Sequence, residues 1–511
     1  MNIFGNREEQ MMKNIRHRFL VGINLFSALS VAAYYLTKAD GIFFNLAAII
    51  WVCAMVLNMV ICLKKRKSAV FRTAAMMAPS ILILMTGMLA TNSDSAIMGI
   101  SIEILAVIYY VFSAFHAFYL SSDRFAEKEH KPAKLIGLIF YILWYLIIAG
   151  LFLWYYTYTL VIAELDMSST VAMLSNFRLF LIIGFFASSL GLARRLETRN
   201  WKWAPKRIIC VAAVLSLMAL IPSAAAFDGA AKANMQYTKV FGGERNQFYY
   251  SIPKAVFGGT ESGYTVLKNQ TYMTMTFARA GEEAKDYDLA FDLYTPAQEN
   301  GPYPVLLRIH GSGGQKGIRN NALMSEAIAS KGYAVIDMDY GNEKVKPSND
   351  ELSENLCRLL DYLYDHKDAL NLDMDNVFVS GTSRGGKMAM KTCVAWANNA
   401  HALKEKITIR GAVILWGMMN DVFDRTGNER IVSLEELTAD LPPVLFIDTT
   451  NDGSVQGGNL LEGVLYTLGV PSANIELRYA MHGANNHYYG FYGQMVDYYT
   501  LRFLSDMVQH P

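Results

Sequence analysis

Seven apolar runs crowd the sequence between Phe19 and Phe227, at residues 19–36, 42–63, 74–90, 96–120, 135–163, 171–193 and 208–227. A helix needs about 20 mostly apolar residues to cross the hydrocarbon of a bilayer, so the first and third runs are short and the others sufficient. The loops between them are strongly biased. The segments before run one and after runs two, four and six hold 4, 5, 4 and 6 Lys+Arg, whereas those after runs one, three and five hold only Lys38. Cationic loops stay in the cytoplasm during insertion. The pattern predicts an α-helical membrane bundle of about seven spans over residues 1–227, with the N-terminus cytoplasmic and all that follows Phe227 outside, in a multi-pass protein of the plasma membrane. Run seven, "KRIICVAAVLSLMALIPSAAAFDG", also has the shape of a cleavable signal ending near Ala226; the reading adopted is an uncut anchor.

Glu103 and Arg178 lie inside these runs, at matching depth from the outer side of runs four and six. Ionised groups are costly in hydrocarbon and find partners there. One reading pairs the two; the other lets Arg178 snorkel outward while Glu103 faces a wet cleft. The balance of charge is otherwise bland. A formal charge of +1 gives no basic surface for nucleic acid, and the five cysteines show neither metal-ligand spacing nor a disulfide framework. No cofactor or metal is implied.

After residue 227 the pattern changes. A connecting segment is expected over 228–264, and then short strand-like runs alternate with helical ones over 265–511. Eight candidate strands, "YMTMTFAR", "YDLAFDLYT", "PVLLRIH", "YAVIDMDY", "NVFVSG", "GAVILWG", "PVLFIDT" and "IELRYAM", predict a mostly parallel eight-stranded sheet begun by an antiparallel edge. Helices are expected over 322–330, 350–366, 384–398 and 457–468. Such sheets carry their reactive groups at the carboxyl ends of the strands.

One strand-to-helix corner is unusual. In "NVFVSGTSRGGKMAM" a β-rich run meets a helix through a turn with Ser383 between Gly381 and Gly385. Glycines there let strand and helix approach closely and leave the serine hydroxyl exposed. A serine needs a base, an orienting acid and oxyanion donors before it can attack a carbonyl. Donors are offered by the glycine-rich "HGSGG", through Gly311, Ser312 and Gly313, and by the N–H of Arg384; His310 is expected to shape this loop. For the acid, Asp452 in "DTTNDGSV" has the reach to orient a histidine on the next loop, with Asp448 at the strand tip as the alternative. For the base, "MHGANNHYYG" supplies His482 and His487, and spacing does not choose between them. The segment 418–441 could form a small cap over the substrate.

Taken together, these motifs resemble the α/β-hydrolase superfamily, and within it the esterase and dienelactone-hydrolase-like branch, over roughly residues 265–508. Thr450, Asp452 and Val455 are similar to the family's acid segment, whereas Asp448 and Thr449 depart from it. Asn486, His487, Gly490, Tyr492 and Gly493 are similar to a stretch around the histidine in some bacterial members. The resemblance therefore implies Ser383, Asp452 and His487 as the triad. It also implies a carboxylic ester hydrolase acting through an acyl-enzyme; with the loop charges placing this half outside, the expected substrate is an ester-containing small molecule, a lipid or a cell-surface glycan. The same fold allows a serine peptidase or an acyltransferase. A membrane sensor or transporter with a hydrolase-like binding module is the reading from a different class.

Overall fold

The computed structural model describes residues 3–39, 41–64, 102–121, 131–159, 178–197, 203–243, 248–259, 261–277, 285–298, 300–312, 314–340, 349–417, 419–422 and 432–509. These residues form two units. One holds the described residues up to 159, those of 178–224, and 250–259; the other holds those of 225–249 and everything described from 261 onward.

Apolar sequence makes the first unit helical: α1 (Ile3–Thr37), α2 (Ile42–Lys64), α3 (Ile102–Ser121), α4 (Lys131–Thr157), α5 (Arg178–Glu197) and α6 (Ala204–Phe241). Alanines allow α1, α2 and α3 to approach closely, and Ala28, Ala47, Ala48, Ala54 and Ala106 interleave with Val31, Tyr34, Trp51 and Tyr110 in one buried cluster. The seven-span count is not supported by the described helices. Two of them, Arg18–Thr37 and Ala204–Phe241, are long and apolar enough to cross a membrane, while the apolar parts of four others run 10–17 residues. At 1.5 Å per residue such stretches fall short of the ~30 Å hydrocarbon thickness. The run at 74–90 lies outside the described residues.

Of the two readings left open for Glu103, its pairing with Arg178 is not what the structure shows. Lys38 follows the last turn of α1 with φ 47, and its ammonium lies over the rings of Tyr34 and Tyr35 and pairs with the Glu103 carboxylate. This left-handed residue turns the side chain back toward α3, so Glu103 is answered by Lys38 and not by Arg178. Arg178 is itself buried, near Tyr155.

Residues 228–264 are more than a connector. Helix α6 continues through residue 227 to Phe241, and within the second unit its last turns pack on the C-terminal helix α12, introduced below. Tyr237 donates to Asp506 at 2.8 Å, and the Arg502 guanidinium donates to Asn234 at 2.7 Å while lying over the Tyr237 ring. A short helix α7 (Ile252–Phe257), capped by Ser251, then packs into the first unit. Asn45 brackets its start, donating to the Tyr250 carbonyl and accepting from the Ile252 N–H, each at 2.8 Å.

In the second unit the β-branched and aromatic runs pair into one eight-stranded sheet, β1-β2-β4-β3-β5-β6-β7-β8. The strands are β1 (Tyr264–Phe277), β2 (Lys285–Pro296), β3 (Tyr303–Ile309), β4 (Ala334–Met338), β5 (Leu372–Thr382), β6 (Ile409–Leu415), β7 (Val444–Thr449) and β8 (Ser472–Leu477). β1 and β2 are antiparallel, and β2 joins β4 antiparallel. From β4 and β3 to β8 every pairing is parallel. Parallel strands covered on both faces lose the polar alternation of a one-sided sheet, and β4 and β7 are buried at every position. The crossovers carry α8 (Arg319–Ala329), α9 (Asn349–Asp365), α10 (Arg384–Ala397) and α11 (Ser454–Thr467), and α12 (Phe491–Gln509) closes the chain. Helix α12 lies close against the sheet because β6 has Gly411 there; a Cβ at that position would meet the Phe503 ring at 2.6 Å. The strand order, with its antiparallel edge and helical crossovers, is that of an α/β-hydrolase.

Candidate active site

Strand β5 ends at Thr382 and α10 begins at Arg384, so Ser383 alone makes the corner, with φ 56 and ψ −122. A non-glycine residue held there costs about 1–3 kcal/mol and persists only where its surroundings enforce it. They do. The Ser383 N–H donates to Leu415 O at 2.9 Å, and its carbonyl accepts from Gly386 N at 2.9 Å. A Cβ at Gly381 would collide with the carbonyl of Gly385, and one at Gly385 with the carbonyl of Ile309. The two glycines are what permit strand and helix to meet at this angle.

Beyond β8 the chain turns at Tyr479, φ 55. Its N–H donates to Thr450 Oγ1 at 2.7 Å, and Asn451 N donates to Ala480 O at 3.1 Å. These two bonds lace the turn after β7 to the turn after β8, bringing Asp452 and His482 side by side. His482 Nδ1 lies 2.7 Å from Asp452 Oδ2, and His482 Nε2 lies 2.9 Å from Ser383 Oγ. With its proton on Nδ1 the ring donates to the carboxylate and accepts from the serine hydroxyl. Asp452 is 3% exposed. Burial alone would raise its pKa, but hydrogen bonds from His482, Thr449 and Ser454 outweigh it and hold the carboxyl below the usual range.

Geometry therefore corrects the choice of histidine. His482 uses both ring nitrogens on Ser383 and Asp452, which fills the base position. His487 follows the 3₁₀ turn Ala484–Asn486 and is buried, with its carbonyl accepting from Gly490 N at 2.9 Å. The family-like spacing around His487 describes how this loop packs: a Cβ at Gly493 would strike the carbonyl of Tyr488.

Asp448 is likewise set aside in favour of Asp452. It is 1% exposed at the end of β7, and its Oδ2 faces Gly458 of α11. Burial, with the neighbouring Asp452 charge, pushes its carboxyl up to about 8. A carboxyl that is neutral at pH 7 is a poor counter-charge for an imidazolium.

On the other side of Ser383 lies the glycine-rich loop after β3. Gly311 abuts the nucleophile: a Cβ there would stand 3.2 Å from Ser383 Cβ and 3.1 Å from Thr382 O. Ser312 is next to it, Gly313 lies outside the described residues, and Gly314 N donates to Gly311 O at 3.0 Å. His310 is 5% exposed, its Nδ1 is 2.9 Å from Gly311 O, and its ring lies 4.5 Å from that of Tyr340. The Tyr340 hydroxyl donates to His310 O at 2.6 Å. Arg384 opens α10, so its N–H stands at a helix N-terminus directly after the nucleophile.

Part of the expected cap, residues 418 and 423–431, lies outside the described residues; what is described forms short 3₁₀ turns at Met419–Val422 and Leu434–Glu436. Among the described residues no group of three or more His, Cys, Asp or Glu is arranged to hold a metal ion. In the sequence Thr449 and Thr450 stand out only for their departure from or likeness to the family's acid segment; their roles, with Ser454, in holding Asp452 and, with the Tyr479 N–H, in lacing the two turns escaped sequence reasoning, because single hydroxyls and one backbone turn carry no spacing signal. Arg308 and Asp337 escaped it too, although a charge inside each of two apolar strands was a visible cue.

A family model described as BD-FAE matches residues 291–436. The match takes in the glycine-rich loop and Ser383 and ends before Asp452 and His482. Similar solved structures include a bacterial heroin esterase, at 16% identity and TM-score 0.39, covering 48% of this chain and 85% of that one. Esterase B from Lactobacillus rhamnosis follows at 17% identity and TM-score 0.37, covering 57% and 96%. A thermostable esterase from Pseudomonas putida has 18% identity and TM-score 0.37, covering 49% and 84%. No curated protein matches. Fold and family match together make the second unit a domain of the α/β-hydrolase type.

Proposed function

We propose that this chain is a membrane-anchored, extracytoplasmic carboxylic ester hydrolase with Ser383, His482 and Asp452 as its triad. The observation that carries the reading is the continuous relay from Ser383 Oγ through His482 to Asp452, at 2.9 and 2.7 Å. His482 takes the serine proton as Oγ attacks the ester carbonyl, and Asp452 stabilises the imidazolium that forms. Backbone N–H groups of Arg384 and the 311–313 loop receive the oxyanion. His482 then gives its proton to the departing alcohol, and a water molecule repeats the sequence on the acyl-enzyme. The substrate is an ester-bearing small molecule, lipid or cell-surface glycan.

Membrane anchoring draws support from α1 and α6, each long and apolar enough to span. Large apolar side chains also face outward from several helices, with Leu29 72%, Leu36 79%, Ile147 60% and Leu217 66% exposed. Monomeric proteins in water seldom display so much apolar surface. The extracytoplasmic placement rests on the loop charge bias of the sequence, 19 Lys+Arg against 1 alternating over seven apolar runs; crossing by α1 and α6 alone would return the hydrolase to the side of the N-terminus.

A membrane-impermeant fluorophosphonate applied to intact cells tests the whole reading. Labelling at Ser383 is expected, with loss in both Ser383→Ala and His482→Ala. Labelling only after the cells are opened would reverse the orientation, and labelling that survives His482→Ala would remove the base.

A further inference from the structure

Four polar residues cross the sheet in one line beneath the loop that follows β3. The register places Asp292 of β2 opposite Asp337 of β4, Asp337 beside Arg308 of β3, and Arg308 beside Ser380 of β5. All are buried, at 3%, 1%, 5% and 2% exposure. Taking such charges out of water costs several kcal/mol apiece unless their geometry is satisfied. Their bonds lead to one place. Asp337 Oδ2 accepts from the N–H of Gly317 at 2.8 Å, and Asp292 Oδ1 accepts from Lys316 Nζ at 2.8 Å and from Asn269 N at 2.8 Å. Lys316 also donates to Asn269 Oδ1 at 2.6 Å. Arg308 lies between the carboxylates and α8, donating to Asn321 O at 2.5 Å and Ser325 Oγ at 2.7 Å. Gly317 has φ +70, and a Cβ there would come within 3.1 Å of Asp292 Oδ2.

Lys316 and Gly317 end the loop that begins at His310 and touches Ser383 through Gly311. Its near end is held by Tyr340 and His310. With glycine at 311, 313, 314 and 317, the loop has little conformational preference of its own. Oxyanion donors act through prior fixation and lose their value if they must reorganise during reaction.

We infer that Asp292, Asp337, Lys316 and Gly317 are positioning residues, an anchor built on two buried carboxyl groups that fixes the far end of the oxyanion loop and so sets its donors over Ser383. The inference rests on the proposed ester hydrolysis for its purpose, but its readout does not. An alkyl boronic acid forms a tetrahedral adduct with the Ser383 oxygen and reports the donors without any turnover.

The test uses the full-length protein in detergent, with p-nitrophenyl acetate turnover and boronic acid affinity measured together. Lys316→Met and Gly317→Ala are each expected to weaken the boronic acid about 10-fold and lower kcat similarly with KM within about two-fold. This is less than the roughly 100-fold loss that follows removal of a donor itself. Lys316→Arg, which keeps the charge on Asp292, should recover most of the affinity. Boronic acid affinity within about two-fold of wild type in both Lys316→Met and Gly317→Ala would overturn the anchor. A wild type that binds boronic acid but turns over no ester would overturn the proposed reaction and leave the anchor standing on its affinity measurements.

Discussion

Buried polar groups are organised differently in the two units. Among the described residues of the helical unit, several answer one another between neighbouring helices. Asn24 and Asn58 exchange amide hydrogen bonds at 2.9 and 2.8 Å, Trp51 Nε1 donates to Ser30 Oγ at 2.7 Å, and Lys38 meets Glu103. In the sheet unit they converge. Asp452 and His482 approach Ser383 from one side, and Asp292, Asp337 and Lys316 reach it from the other through the glycine-rich loop. Pairwise closure is what holds helices together where water is scarce; convergence on one atom is what a reaction requires. Polar burial in the first unit thus belongs to assembly, and in the second to chemistry.

The comparison breaks most sharply at the histidines. His482→Ala should reduce ester turnover about 10⁴-fold or more while leaving the melting temperature near that of wild type. His487→Ala should do the opposite, lowering stability with turnover within about 10-fold, because it removes a buried side chain from a packed loop. Steady-state kinetics and thermal unfolding of both variants check this, and a reversed pattern would restore His487 as base.

Asp452→Asn should follow, with a loss of about 10⁴ in kcat because an amide holds the imidazole in the wrong tautomer. Its pKa is depressed in the folded protein, so the carboxylate's stabilising contribution is present above the ordinary carboxylate range and is lost as the pH falls through the folded value. The variant should therefore lose some of the wild type's acid sensitivity, visible in melting curves taken below pH 4.

Asp448 has the opposite sign. Its folded pKa near 8 stands above the unfolded 3.8, so the folded state keeps a proton that the unfolded state releases in between. Stability from this group is full below about pH 4 and drains away as the pH rises toward 8. Asp448→Asn is isosteric and permanently neutral, and it should flatten the decline by a few kcal/mol between pH 5 and 8. Its effect on kcat should be small, since the amide does not alter the charge of Asp452. Unfolding across that pH range measures the slope, and an unchanged slope would mean Asp448 is ionised.

Convergence and pairwise closure were unequally legible in the sequence. Each of the eight strands corresponds to a β-rich run, and the corner serine stood out because two glycines flank it after a buried strand. The choice between His482 and His487 was not legible, since it depends on a turn at Tyr479 and on bonds from Thr450 and Asn451 that join separate loops. Helix α12 was hidden because "HYYGFYGQ" reads as loop chemistry although Phe491, Met495, Val496 and Tyr499 already mark a helical face. The end of the apolar run at Phe227 suggested a boundary, yet α6 runs on, and Asp228 within it is answered by Lys232 one turn later and by Arg478. Lys38 was weighed as loop charge alone, and its ion pair with Glu103 depends on a backbone turn that composition cannot reveal.

That ion pair offers the smallest effect and the last way to sharpen the comparison. Glu103 is almost wholly buried, and Lys38 keeps a quarter of its side chain exposed, so water and the Tyr34 and Tyr35 rings share its charge. Removing either partner leaves the other inside the helical unit, and a cycle of Lys38→Met, Glu103→Gln and the double variant should give a coupling of about 0.6 to 1.7 kcal/mol in detergent unfolding. Ester turnover should stay within about two-fold of wild type in all three, because Lys38 and Glu103 belong to the helical unit and Ser383 to the other. A large loss of turnover in Glu103→Gln with the fold intact would mean that polar groups of the helical unit take part in the chemistry, and the division between assembly and reaction would fall.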